Sequence, residues 1–118
     1  MSHFSIAIPK LPMRNAQVTK QFYIDYLEFE LIGDYSNYIL LQKDGIEIHF
    51  FEFLNLNPLE NYGQIYIRLH AIEIFYKKII NNKVTIHPNG ALALKSWGQV
   101  EFAILDPDHN LITFGESR

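Results

Sequence analysis

The sequence predicts an α+β fold made of two tandem βαβββ modules, and three observations carry that prediction. The first is a repeat: laying residues 38–50 (YILLQKDGIEIHF) over 102–114 (FAILDPDHNLITF) matches apolar run, Asp-containing turn and apolar run without a gap. The second is order, since each half reads as a strand, a helix and three strand-like segments. The third is size. At 118 residues, 48% apolar and 14% aromatic, the chain suits one domain whose halves share a core. Module one is expected at about residues 1–56 and module two at about 62–118.

Taking the chain in order, residues 4–10 (FSIAIPK) alternate apolar side chains but include Pro9, which has no N–H for a ladder. An edge or exchanged strand is therefore expected, ended by LPMRN. From Ala16 to Leu27, Val18, Phe22, Tyr23, Tyr26 and Leu27 fall at helical spacing, with Asn15 as N-cap. Residues 30–35, 38–43 and 45–53 read as three strands, the last two joined by Asp44-Gly45, a pair suited to positive φ. LNLNPLENY (54–62) is a connector. In the second half, residues 64–69 read as a strand. Ile72, Phe75, Tyr76 and Ile79 then give a helix fading into Asn81-Asn82, either of which suits the left-handed closing position. Residues 84–87 are expected as a short strand broken by Pro88-Asn89-Gly90. The final hairpin, 99–105 and 110–114, turns at Asp106-Pro107-Asp108-His109, where Pro107 presets φ and Asp106 can accept from amides two residues on.

Composition excludes several functions. Ten basic against thirteen acidic residues, with no basic run longer than Lys77-Lys78, speak against a phosphate-tracking surface, so no nucleic acid is expected. No apolar run approaches membrane-spanning length, and the first residues lack a signal-peptide pattern. The absence of cysteine removes thiol chemistry and fits a reducing compartment, so a cytoplasmic protein is expected. No Ser-His-Asp order, nucleophile elbow or Gly-rich phosphate loop is present, and the six glycines read as isolated turn or strand-end residues.

Three stretches, PKLPMRNAQVTKQFY (9–23), DGIEIHFFEF with NPLENY downstream, and SWGQVEFAILDPDHNLITFG (96–115), together resemble the vicinal-oxygen-chelate superfamily. That superfamily includes glyoxalase I, extradiol dioxygenases and the fosfomycin and bleomycin resistance proteins, and the resemblance is greatest to the bleomycin resistance branch. It implies curved mixed sheets with a cleft and a strand-exchanged homodimer. Three positions depart from the family pattern: Asn15 for Asp, and Glu28 and His109 for Gly. A positive φ at His109 would cost roughly 1 kcal/mol relative to Gly.

By the same resemblance, metal-binding members place a ligand near each of Ile8, His49, Gln64 and Thr113. Only His49 is a good donor, and a divalent ion needs at least three. Recruiting Glu47 by a one-residue slip would turn it to the opposite face. No metal and no cofactor are therefore expected, and His49 either lines a cleft or is a satisfied polar residue on a half-exposed strand.

What remains is an aromatic and acidic inventory, from which Trp97, Tyr38, His49, Phe51, Tyr62, Tyr66, Glu101 and Glu60 are the candidate ligand-binding residues. Aromatic faces with interspersed carboxylates suit a bulky, flat, cationic ligand. Any one aromatic taken alone is more readily explained as core, with the exception of Trp97. It sits beside Gly98 after a polar stretch and resembles the cleft tryptophan of the resistance proteins. The expected function is metal-free sequestration of a small molecule of the bleomycin type. The alternatives are a metal-dependent lyase or dioxygenase of the same superfamily and a dimeric binder of an endogenous metabolite.

Overall fold

The structure, a computed structural model, describes all residues, 1–118. Its elements are β1 (Lys10–Met13), α1 (Ala16–Leu27), β2 (Glu30–Asp34), β3 (Tyr38–Lys43), β4 (Ile46–Glu52), β5 (Gln64–Arg68), α2 (Ile72–Asn81), β6 (Ala93–Leu94), β7 (Gln99–Leu105) and β8 (Leu111–Ser117). They form two four-stranded mixed sheets, β1-β4-β3-β2 and β5-β8-β7-β6. In each, the first strand of its half runs parallel to the last and the other pairs are antiparallel. The strand, helix and three-strand order read from the repeat is the order observed.

The helices form for local reasons. The Asn15 backbone is extended and its side-chain oxygen accepts from the Val18 amide at 3.1 Å, which satisfies one orphan donor of α1. Glu28, at φ 61°, closes the helix in the left-handed region. At α2 the left-handed residue is Lys83 (φ 59°), not Asn81 or Asn82. The Lys83 amide reaches the Ile80 carbonyl and the Val84 amide the Ile79 carbonyl, so the chain closes where Val84 can enter the core that holds Ile79. One cluster of buried residues runs through both halves, from Leu11, Met13 and Tyr23 to Phe102, Ile104 and Phe114.

Two strands are not where the sequence put them. The first begins at Lys10, and residues 4–7 lie exposed beyond it. Register explains this: Leu11 lies opposite Phe50 and Met13 opposite Glu52, so these two supply the buried face, while Pro9 offers only its carbonyl, to the His49 amide at 3.0 Å. Residues 84–87 meet β7 through one Ile86–Ile104 bridge and bonds at Thr85 and His87. Pro88 interrupts the ladder, and β6, paired with Val100 and Glu101, takes the edge.

The gap-free repeat also needs correction. Leu41 pairs with Ile48 and Ile39 with Phe50, whereas Ile104 pairs with Ile112 and Phe102 with Phe114. The second hairpin is therefore one residue longer. The gap-free overlay puts half-exposed Tyr38 on fully buried Phe102, which faces the other side of its sheet.

The extra length sits in the Asp106–Asn110 turn, which ties the halves together. Buried Asp106 accepts from the Asp108 and Asn110 amides (both 2.9 Å), from Asn110 Nδ2 (2.8 Å) and from the Tyr23 hydroxyl of α1 (2.7 Å). Asn110 Nδ2 also donates to the Pro12 carbonyl, and Arg14 Nε meets Asp108 Oδ1 at 2.6 Å. His109 does adopt positive φ, at 63°. This knot fixes the hairpin that carries Glu101.

Candidate ligand-binding site

Strand alternation sorts the predicted residues. Ile39, Leu41, Ile48 and Phe50 are buried in the core, leaving Tyr38, Glu47, His49 and Phe51 on the open face of the first sheet. In the second sheet Phe102, Ile104, Ile112 and Phe114 face the core, and Tyr66, Glu101 and Thr113 lie on the other side.

On the second sheet Glu101 is a hub. It is only 8% exposed, and its Oε2 accepts from Tyr66 Oη at 2.8 Å and from Trp97 Nε1 at 3.0 Å. Tyr66 gets there by passing over Gly115, where a Cβ would lie 1.8 Å from the phenol oxygen. Burial, and next the Glu101 carboxylate, push the Tyr66 phenol above its ordinary pKa, so it stays a donor. Trp97 is tethered at its nitrogen, yet the residue remains 63% exposed. Beside it lies a cleft of about 270 Å³, lined in part by Lys95, Trp97, Glu101 and Thr113.

On the first sheet, Tyr38 Oη lies 2.8 Å from His49 Nδ1, and His49 Nε2 lies 2.5 Å from Glu47 Oε2. Glu47 and His49 are two residues apart on β4 and share a face, so Glu47 reaches the imidazole with no slip of register. The Glu47 carboxylate can only accept, so Nε2 carries a proton, and in the neutral imidazole Nδ1 then accepts from the Tyr38 hydroxyl. Both imidazole nitrogens are thus engaged. With Ile8, Gln64 and Thr113 at the other expected positions, and no convergence of three or more His, Asp or Glu side chains, the residues present do not make up a divalent-metal site.

The remaining candidates are dispersed. Phe51 pairs across from Tyr38 and is half-buried. Tyr62, 90% exposed, lines a separate cleft of about 380 Å³ with Gln64, His87 and His109, and Glu60 stands exposed in the connector. A cavity of about 430 Å³ between the halves, near Leu27, Ile67 and Phe75, contains none of the eight. Gly115 escaped the sequence reading because a glycine at a strand end looks the same whether or not a phenol lies across it.

Comparison with known proteins agrees with this architecture. The family described as the glyoxalase-like domain matches residues 6–118. The chain belongs to that family. A bleomycin resistance protein of Geobacillus stearothermophilus is 27% identical over 92% of this chain and 93% of its own length, and one of Klebsiella pneumoniae is 28% identical over 90% and 87%. Among solved structures, the bleomycin resistance determinant encoded on transposon Tn5 superposes with a TM-score of 0.87 at 26% identity, covering 98% of this chain and 99% of that one. A bleomycin-binding protein complexed with bleomycin gives 0.85 at 26% identity, covering 98% and 100%. Within the glyoxalase-like family, the chain groups with the bleomycin resistance branch. No helix is long and apolar enough to cross a membrane.

Proposed function

We propose that this protein binds and sequesters a bulky aromatic, cationic small molecule of the bleomycin type, without a metal cofactor and without catalysis. The observation that carries the reading is the near end-to-end match to bleomycin resistance and bleomycin-binding proteins, in a chain whose own cleft presents an exposed indole beside a buried carboxylate. A flat ring system gains by stacking on Trp97, and a cationic tail gains from nearby acidic side chains. Tyr38, His49, Phe51, Tyr62, Tyr66, Glu101 and Glu60 are the further proposed contacts.

The working unit in this reading is a cytoplasmic homodimer with its clefts at the subunit interface. Phe4 and Ile6, on an N-terminal segment that nothing in the chain covers, are 104% and 66% exposed. A second copy would bury them.

The test is a titration with bleomycin, with and without copper, followed through Trp97 emission. Saturable quenching, together with raised bleomycin tolerance in a sensitive host that expresses the chain, is expected. A flat titration at high micromolar ligand overturns the reading.

A further inference from the structure

Glu101 is mostly buried, yet its charge has no cationic partner. Its Oε2 is occupied by two neutral donors, Tyr66 Oη and Trp97 Nε1, and no group of the chain donates to Oε1. Lys95 lines the same cleft and Arg68 stacks on the Tyr66 ring with Cζ 5.4 Å from its centroid, but neither forms an ion pair with Glu101. A carboxylate withdrawn from water gains most from a charged partner with N–H donors, and two neutral donors supply only some of that. Nor is the arrangement incidental. Tyr66 spans a neighbouring strand to hold one oxygen in place, and only the missing side chain of Gly115 lets it pass. Fixing Oε2 from two sides sets the direction of Oε1.

The geometry points to Glu101 as the anchor for an ammonium or amidinium group of the ligand, received at Oε1 while the flat portion of the same molecule covers the indole of Trp97. This rests on the reading that the cleft takes a flat cationic compound. It adds which residue selects for the charge and which pair, Tyr66 and Gly115, positions that residue. Tyr66 and Trp97 together leave Glu101 pre-oriented before ligand arrives, so little ordering remains to be done on binding.

The experiment compares wild type with Glu101→Gln, which keeps the side chain's size and an acceptor oxygen but not its charge. The probes are bleomycin, benzamidine as a small aromatic cation, and benzamide as its neutral counterpart, each titrated against Trp97 emission. Wild type should prefer benzamidine over benzamide by about tenfold or more, the scale of one charge-assisted hydrogen bond. Glu101→Gln should abolish that preference and weaken bleomycin by a similar factor, with benzamide unaffected. Equal affinity of wild type for the two small probes overturns the anchor without recourse to any variant. So does a parallel loss of both probes in Glu101→Gln, which would mark a structural role only. A wild type that ignores bleomycin but keeps the amidine preference sinks the bleomycin reading and leaves the anchor standing. One that binds bleomycin equally well as Glu101→Gln does the reverse.

Discussion

The phenol of Tyr66 lies directly above Gly115, close enough that a Cβ there would stand 1.8 Å from its oxygen. Gly115→Ala must therefore displace the ring, at a cost of about 1–3 kcal/mol as an overpacking change. The displaced phenol also loses Glu101. Chemical denaturation should show Gly115→Ala together with Tyr66→Ala costing less than the sum of the two single changes, and the Tyr66 phenol of Gly115→Ala should titrate closer to its ordinary range. Additive costs would mean that the two residues do not interact.

Trp97 is held by one hydrogen bond and otherwise exposed, so Trp97→Ala should cost only about 1 kcal/mol of stability, mostly the donor that Glu101 loses. A core tryptophan would cost about 3–5 kcal/mol. Bleomycin binding should weaken roughly five- to 150-fold, the worth of one stacked ring. Calorimetry on folded variant protein measures both quantities, and a steep fall in melting temperature with unchanged affinity would exclude the cleft role.

Asp106 accepts from four donors, and Asp106→Asn turns an amide NH₂ towards some of them, at a cost of about 1–3 kcal/mol. Burial raises the carboxyl pKa above the ordinary range, with the hydrogen bonds from Asn110 and Tyr23 opposing it. A carboxyl with a higher pKa folded than unfolded holds its proton more tightly in the native state. Its contribution is therefore greatest in acid and is lost as pH rises from about 4 through the raised folded value. The stability gap between wild type and Asp106→Asn should narrow over that rise when measured by urea unfolding. A gap that widens would show that the four donors outweigh burial.

Removing residues 1–8 takes away exposed Phe4 and Ile6 and leaves β1 intact. Light scattering at micromolar concentration should give a dimer for the whole chain and a shift towards monomer for the shortened one. A monomeric whole chain would refute the proposed assembly.

Much of the fold was legible because its signals are local. Asn15 caps, Tyr23 and Leu27 recur at helical spacing, and Asp106 accepts from the amides of its own turn. What depended on partners distant in sequence was not legible. The one-residue difference between the hairpins is set by pairing across strands, so the gap-free overlay misplaced Tyr38 against Phe102. The geometry of the candidate site was half-readable for the same reason. Trp97 stood out as a candidate through its neighbours, whereas the convergence of Tyr66 and Trp97 on one oxygen of Glu101 requires β5 and β7, whose contacting residues are 35 apart in sequence, to flank β8 in one sheet. His49 was recognised, but its engagement by Tyr38 and Glu47 was visible only once their shared face was known.

The two hairpin turns of the repeat have diverged in what they can tolerate. Asp106–Asn110 reaches into the other half through Tyr23, Pro12 and Arg14, while Asp44-Gly45 closes its hairpin with φ of 49° and 81° and has open space around Gly45. The first turn is thus a natural place to splice in a peptide tag, a fluorophore or new chain termini. The same insertion in the second would pull the two halves of the molecule away from each other.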